Sequence, residues 1–233
     1  MSIKKYLQEK ILDNIQFYYD WFPGLPYQPL PWIGLEDAGR KNGTEQRLDI
    51  IRNELKINNV NTGLDVGCNV GYFCFNLAED GISMLGVDMD DRFLRMARHV
   101  LRKCKFRNVG FLNMEINERT INLLPSTDLI IFLSVWHHWV KQYDYERATL
   151  MLSSMWGKCK KIMLFETGES EMPSRYKLPN MGEESTDWIK SYLENTCKGA
   201  RVKYLGKTNA FAPKLKDKSL GVERNLFSIV RKN

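Results

Sequence analysis

Residues 64–73 read LDVGCNVGYF, and this stretch decides the fold. An apolar run, Leu64 to Val66, enters a turn carrying Gly67, Asn69 and Gly71. It leaves as a helix-like segment, YFCFNLAED. A phosphate-binding P-loop needs Lys and Ser or Thr after its last glycine, and Tyr72 and Phe73 stand there instead. A dinucleotide-binding GxGxxG loop would place glycines at 67, 69 and 72, but Asn69 and Tyr72 hold the last two positions. Tyrosine suits poorly a point where helix and strand pack closely. Asparagine at 69 tolerates a positive φ better than most residues.

Working outward, short apolar runs alternate with helix-like segments: ISMLGVD then DRFLRMARHVLRKC, VGFLNMEI, DLIIFLSV then YERATLMLSSMW, and KKIMLFET. That alternation predicts a parallel sheet covered by helices on both faces. Asp88 ends the second strand, where a carboxylate can accept both hydrogen bonds of a ribose diol; Asp88 or Asp90 as a helix N-cap is the plainer alternative. After the polar stretch GESEMPSRYKLPNMGEE comes an amphipathic helix, STDWIKSYLENTC. Two strand-like runs follow, ARVKYLG and NLFSIVRK, too close for a helical crossover and so antiparallel. Upstream, Ile3, Leu7, Ile11, Ile15, Tyr18 and Phe22 form one helical stripe. A segment with Pro23, Pro26, Pro29 and Pro31 separates it from a second helix near 44–55. The reading is a helical extension, 1–58, and a main domain, 59–233.

The turn at 64–73 together with Asp88 resembles the class I S-adenosylmethionine-dependent methyltransferases, and the resemblance covers residues 62–167 well. It implies an α/β fold with a doubly wound, mostly parallel seven-stranded sheet, its antiparallel last strand placed within the sheet by the closing hairpin. It implies S-adenosylmethionine as cofactor and no metal. Asp65, Gly67, Cys68, Asn69 and Gly71 would cradle the methionine part, Asp88 with Met89 the ribose, and Glu115 and Ile116 the adenine. Ser134 through His138, in SVWHHW, would lie beside the site. Arg47 would reach the methionine carboxylate, since arginine suits bidentate carboxylate binding. His137, His138 and Glu166 are the candidate bases, weighed against a role as pocket wall.

Composition bounds the rest. The chain has 233 residues, 43 % hydrophobic and 27 % charged, with 34 Lys plus Arg against 28 Asp plus Glu, a globular mixture of net charge +6. Cys68, Cys74, Cys104, Cys159 and Cys197 form no close pair, and with three histidines they leave a structural zinc site almost no ligands. The apolar residues of the amino terminus are interrupted by charge, so neither a signal peptide nor a membrane span is expected, and a cytoplasmic protein with reduced thiols is. A pI near 9.0 favours an anionic partner, whether nucleic acid, phosphorylated metabolite or acidic glycan, with a merely soluble basic surface as the plainer alternative. The basic stripe Arg92, Arg95, His99, Arg102 reads as a solvated helix face. The aromatics Tyr18, Tyr19, Trp21, Phe22, Tyr27 and Trp32 read as core of the extension, with a lid or base-stacking platform as the sharper alternative. Lys214, Lys216 and Lys218 would reach toward an anionic substrate.

The leading expectation is methyl transfer to a small-molecule or glycan acceptor recognised by residues 1–58 and 168–183. One alternative is RNA modification, since the stretch LFETGESEMPSRYKLPNMGEESTDWIKSYLENTC faintly resembles tRNA wobble-uridine carboxymethyltransferases. The other is a catalytically silent cofactor-binding subunit.

Overall fold

The computed structural model describes residues 28–36, 41–210 and 222–232. The stripe at 3–22, the aromatics Tyr18, Tyr19, Trp21, Phe22 and Tyr27, and Lys214, Lys216 and Lys218 lie outside them. In chain order the elements are α1 (Lys41–Leu55), β1 (Thr62–Val66), α2 (Tyr72–Glu79), β2 (Ser83–Asp88), α3 (Asp91–Cys104), β3 (Val109–Asn113) and β4 (Thr127–Leu133). They continue with α4 (Trp136–Gln142), α5 (Tyr145–Lys158), β5 (Cys159–Glu166), α6 (Ser185–Thr196), β6 (Ala200–Ala210) and β7 (Val222–Arg231).

The sheet has seven strands in the order β3-β2-β1-β4-β5-β7-β6. Pairs among β1 to β5 are parallel, and β7 runs antiparallel to both β5 and β6. This is the doubly wound methyltransferase-type fold expected from the sequence, with the last strand inserted between β5 and β6.

Alternation along the central strands explains the two layers. Ile130 and Phe132 of β4, with Met163 and Phe165 of β5, face a cluster holding Trp136, Met151, Leu152, Trp156 and Leu193. Leu129 and Ile131, with Ile162 and Leu164, face Leu48, Ile51, Phe73 and Leu77 on the other side. Strands buried on both faces must read as nearly continuous apolar runs, and DLIIFL and KKIMLFE do. Helix α1 therefore packs on the sheet in the same layer as α2.

One element was not anticipated. SVWHHW continues not as strand but as α4, whose Trp136, Trp139 and Val140 recur at helical spacing and are buried. Trp136 Nε1 donates to the Tyr192 hydroxyl at 2.8 Å, tying α4 to α6. The basic stripe of α3 is a solvated face: Arg92 pairs with Asp90 and Arg95 with Asp91. Asp90, not Asp88, caps that helix, accepting from the Arg92 N–H at 2.9 Å.

The glycine turn is held to β2. Gly67 N–H and Cys68 N–H both donate to the Val87 carbonyl, at 2.8 and 3.1 Å. Gly71 caps α2 at φ +84°, and a Cβ there would meet the Phe111 ring at 2.6 Å. A side chain at this position faces both an unfavourable backbone region and a buried aromatic ring. Gly71→Ala is expected to lower unfolding free energy by about 1–3 kcal/mol in urea titration; an unchanged midpoint would show the turn to be more pliable than this packing implies.

Candidate functional site

Strand order reverses between β1 and β4, and in doubly wound sheets a crevice opens beyond the strand ends at that point. Here the crevice is a cavity of about 710 Å³, walled by the loops following β1, β2, β3, β4 and β5. That volume lies within the range of small-molecule and cofactor sites.

One end is built around Asp88. Its carboxylate accepts from Asn69 N–H at 2.8 Å on one oxygen and from Asp90 N–H at 2.9 Å on the other. Each oxygen keeps a lone pair for a further donor. Asn69 holds φ +53° to bring its amide there, a conformation asparagine accepts more readily than most residues. Met89, 65 % exposed, with Phe93, Met114 and the buried Ile116, forms an apolar wall at this end. Glu115 also lines the cavity, but its carboxylate accepts from Gln142 Nε2 at 2.8 Å and from the Tyr143 hydroxyl at 2.7 Å.

Asp65 sits deeper, 3 % exposed and facing the cavity. Burial pushes its carboxyl up to about 7; the Cys74 thiol, 3.5 Å away, opposes the rise and the Asp88 charge adds to it. Cys68 is buried behind the loop and does not line the cavity, nor does Gly71.

At the opposite end lie His137, His138, Arg175 and Tyr176. His137 Nδ1 accepts from the Gly168 N–H at 2.8 Å, so its ring proton resides on Nε2. Both histidine rings pack near the Tyr176 ring, centroids 5.7 and 5.6 Å away. Lys141 and Arg175 lie over the same ring, at 5.1 and 5.9 Å. Desolvation, then the charges of Lys141 and Arg224, hold His138 below the usual histidine value.

Glu166 lies behind this wall rather than in it. It is fully buried, pairs with the Arg47 Nε, and accepts from Ser134 Oγ at 2.6 Å and Thr208 Oγ1 at 3.1 Å. A carboxylate so enclosed has no path to a substrate proton. Arg47 lines the cavity and also donates from Nη1 to the Gly43 carbonyl and from Nη2 to the Asn209 carbonyl, at 3.2 and 3.0 Å. Ser134, at φ +62°, also accepts from Arg224 Nη1 at 3.2 Å, and Arg224 Nε pairs with Glu171 at 2.7 Å.

The structure thus gathers Asp65, Gly67, Asn69, Asp88, Met89, Glu115, Ile116, Ser134, Arg47, His137 and His138 on one cavity. Sequence reasoning missed Arg224, Arg175, Tyr176, Gln28 and Thr44. A charge inside the apolar run of β7 was the available signal for Arg224; Gln28, Arg175 and Tyr176 sit on segments with no periodicity to read, and Thr44 read only as the start of a helix. Among the described residues no helix is long and apolar enough to cross a membrane, and no cluster of possible metal ligands is found.

A family model described as a methyltransferase domain matches residues 64–156. A structure of the bifunctional kinase-methyltransferase WbdD is similar with TM-score 0.70 and 23 % identity, over 91 % of this chain and 44 % of WbdD. Magnesium protoporphyrin IX methyltransferase (ChlM) from Synechocystis PCC 6803, solved with bound SAM, gives TM-score 0.60 and 18 % identity over 83 % of this chain and 84 % of its own. The chain spans less than half the length of WbdD. No curated protein sequence matches it.

A test of the buried acid follows. An unfolded aspartate titrates near ~4, so between about pH 4 and 7 the folded chain keeps a proton on Asp65 that the unfolded chain has lost. This contribution stabilises the fold at the acid end of that window and is lost as pH rises through it. Asp65→Asn is expected to gain stability relative to the wild type as pH rises across the window in urea titrations; a pH-independent difference would contradict a raised carboxyl.

Proposed function

We propose that this chain, which carries a methyltransferase domain of the class I S-adenosylmethionine-dependent type, transfers a methyl group to a small-molecule or glycan acceptor bearing an anionic group. The observation that carries the cofactor half is the Asp88 carboxylate, fixed by two backbone amides with one lone pair left on each oxygen.

The residues fit the cofactor. Asp88 suits the ribose diol, and Met89, Phe93, Met114 and Ile116 offer an apolar slot for adenine. Asn69 Oδ1, a buried oxygen with no partner among the described residues, and the Asp65 carboxyl are acceptors suited to an ammonium group. Bound there, S-adenosylmethionine supplies a methyl group already activated on sulfonium sulfur.

The chain's own work is then orientation and exclusion of water. Tyr176, Met172 and Pro173 close the acceptor end, and Arg175 and Lys141 lend it positive charge. That charge supports an anionic acceptor, and His138 is lowered by desolvation and then by the charges of Lys141 and Arg224. A phosphate or carboxylate oxygen needs no base. For an acceptor that must lose a proton, His138, which stays neutral to lower pH than an ordinary histidine, is the group placed to take it. His137 is less suited, because its Nδ1 lone pair is held by Gly168.

Two measurements check this reading. Asp88→Ala removes two charge-assisted hydrogen bonds of about 1.5–3 kcal/mol each, so calorimetric affinity for S-adenosylhomocysteine should fall at least hundredfold. Wild-type affinity in the variant would contradict the ribose assignment. In transfer of a radiolabelled methyl group to a panel of phosphorylated and carboxylated sugars beside neutral analogues, anionic acceptors should be preferred. Arg175→Ala should raise their KM about tenfold with S-adenosylhomocysteine affinity unchanged. Equal use of the neutral analogues would contradict the anionic acceptor.

A further inference from the structure

Three buried side-chain oxygens have no hydrogen-bond partner among the described residues: Gln28 Oε1, Thr44 Oγ1 and Asn69 Oδ1. All three residues line the same cavity. Gln28 is 8 % exposed and Thr44 1 %. Buried polar groups in folded proteins are nearly always paired, so three unpaired oxygens around one cavity point to what fills it.

Gln28 and Thr44 both precede β1, outside the strand–turn–helix frame, yet both are firmly set. Two residues beyond Gln28, the fully buried Leu30 packs in a cluster with Val70 of the glycine turn and Phe75. Trp32 lies against Phe75, ring centroids 5.1 Å apart, and donates Nε1 to Glu79 at 2.7 Å. Thr44 lies beside Gly43, where a Cβ would come within 2.0 Å of the Asn209 carbonyl oxygen, so the start of α1 is pressed onto β6. One turn on, Arg47 locks the same helix to Glu166.

We propose that Gln28 and Thr44 hold the amino-acid end of bound S-adenosylmethionine: Gln28 Oε1 accepts from its ammonium group and the Thr44 hydroxyl donates to its carboxylate. This rests on the cofactor reading above and extends it to the segment before β1. The amino-acid end is favoured over the adenosine end by position. Gln28 is anchored, through Leu30 and Val70, beside the turn that carries Asn69, and Thr44 is held one turn before Arg47, with Gln28, Asn69, Thr44 and Arg47 all on the cavity that Asp65 lines. It is favoured by chemistry too. Gln28 Oε1, Asn69 Oδ1 and the Asp65 carboxyl are three acceptors, matching the three donors of an ammonium. The Thr44 hydroxyl, unpaired among the described residues, offers the carboxylate a donor on the same cavity as Arg47, three of whose five N–H donors go to Glu166, Gly43 and Asn209.

The test uses near-isosteric variants, Gln28→Met and Thr44→Val, in the full chain. It reads affinity by calorimetry for S-adenosylhomocysteine and for 5′-methylthioadenosine, which lacks the amino-acid end. Thermal unfolding without ligand serves as the second readout. Each variant should bind S-adenosylhomocysteine about tenfold more weakly, bind methylthioadenosine as the wild type does, and unfold no earlier, because an unpaired buried oxygen has been removed. Thr44→Ser, which keeps the hydroxyl, should retain wild-type affinity. Unchanged S-adenosylhomocysteine affinity in the folded variants, or equal weakening of both ligands, would overturn the assignment. Failure of the wild type to bind either nucleoside would instead overturn the cofactor reading beneath it.

Discussion

The Glu166 carboxylate, wholly buried at the tip of β5, is the point on which the functional end of the molecule depends. It meets Arg47 from α1, Ser134 from the end of β4 and Thr208 from β6, with Arg224 of β7 3.9 Å away. Five separate pieces of chain thus converge on one charge. Removing one partner of such a buried pair leaves the other uncompensated, at a cost of about 3–5 kcal/mol. The arrangement fixes where the segment before β1 and the closing hairpin stand relative to the β1–β4 crevice. It also explains how Ser134 is kept at a positive φ at the cavity wall, with its N–H bonded to the Glu166 carbonyl at 2.8 Å.

From that anchor the cavity divides by chemistry. The end under β1 to β3 presents oxygen acceptors and an apolar slot, the complement of a nucleoside carrying an ammonium. The end under β4 and β5 presents imidazole, a phenol and the Arg175 guanidinium, the groups on which the proposed anionic acceptor rests. Gly67 and Val135 both line this cavity, and a Cβ at Gly67 would lie 2.8 Å from the Val135 side chain, so the main chain itself forms the wall there.

Much of the frame was legible in the sequence because parallel strands buried on both faces must be apolar runs, and helices between them must show a stripe. LDVGCNVGYF placed the turn, and the spacing from Asp65 to Asp88 placed the second acid. The closing pair ARVKYLG and NLFSIVRK was readable as antiparallel from the shortness of its connection. What escaped reading depended on long-range pairing. Glu166 looked like a candidate base because it ends a strand, and only the approach of Arg47 and Thr208 from distant segments shows it to be enclosed. The bonds of Arg47 to Glu166 and to the Gly43 and Asn209 carbonyls were equally out of reach of the sequence, since its partners stand up to 162 residues away. SVWHHW hid a helix because two turns of apolar spacing within seven residues look the same as a buried strand end.

A crystal structure of the protein grown with S-adenosylhomocysteine would locate the ligand outright. The expected arrangement has the nucleoside in the β1–β4 crevice, its ribose diol on the Asp88 carboxylate, adenine against Met89 and Met114, and its amino-acid end toward Asp65 and Asn69. A nucleoside ordered outside this cavity, or lying with adenine toward Asp65 and its amino-acid end at Met89, would contradict it.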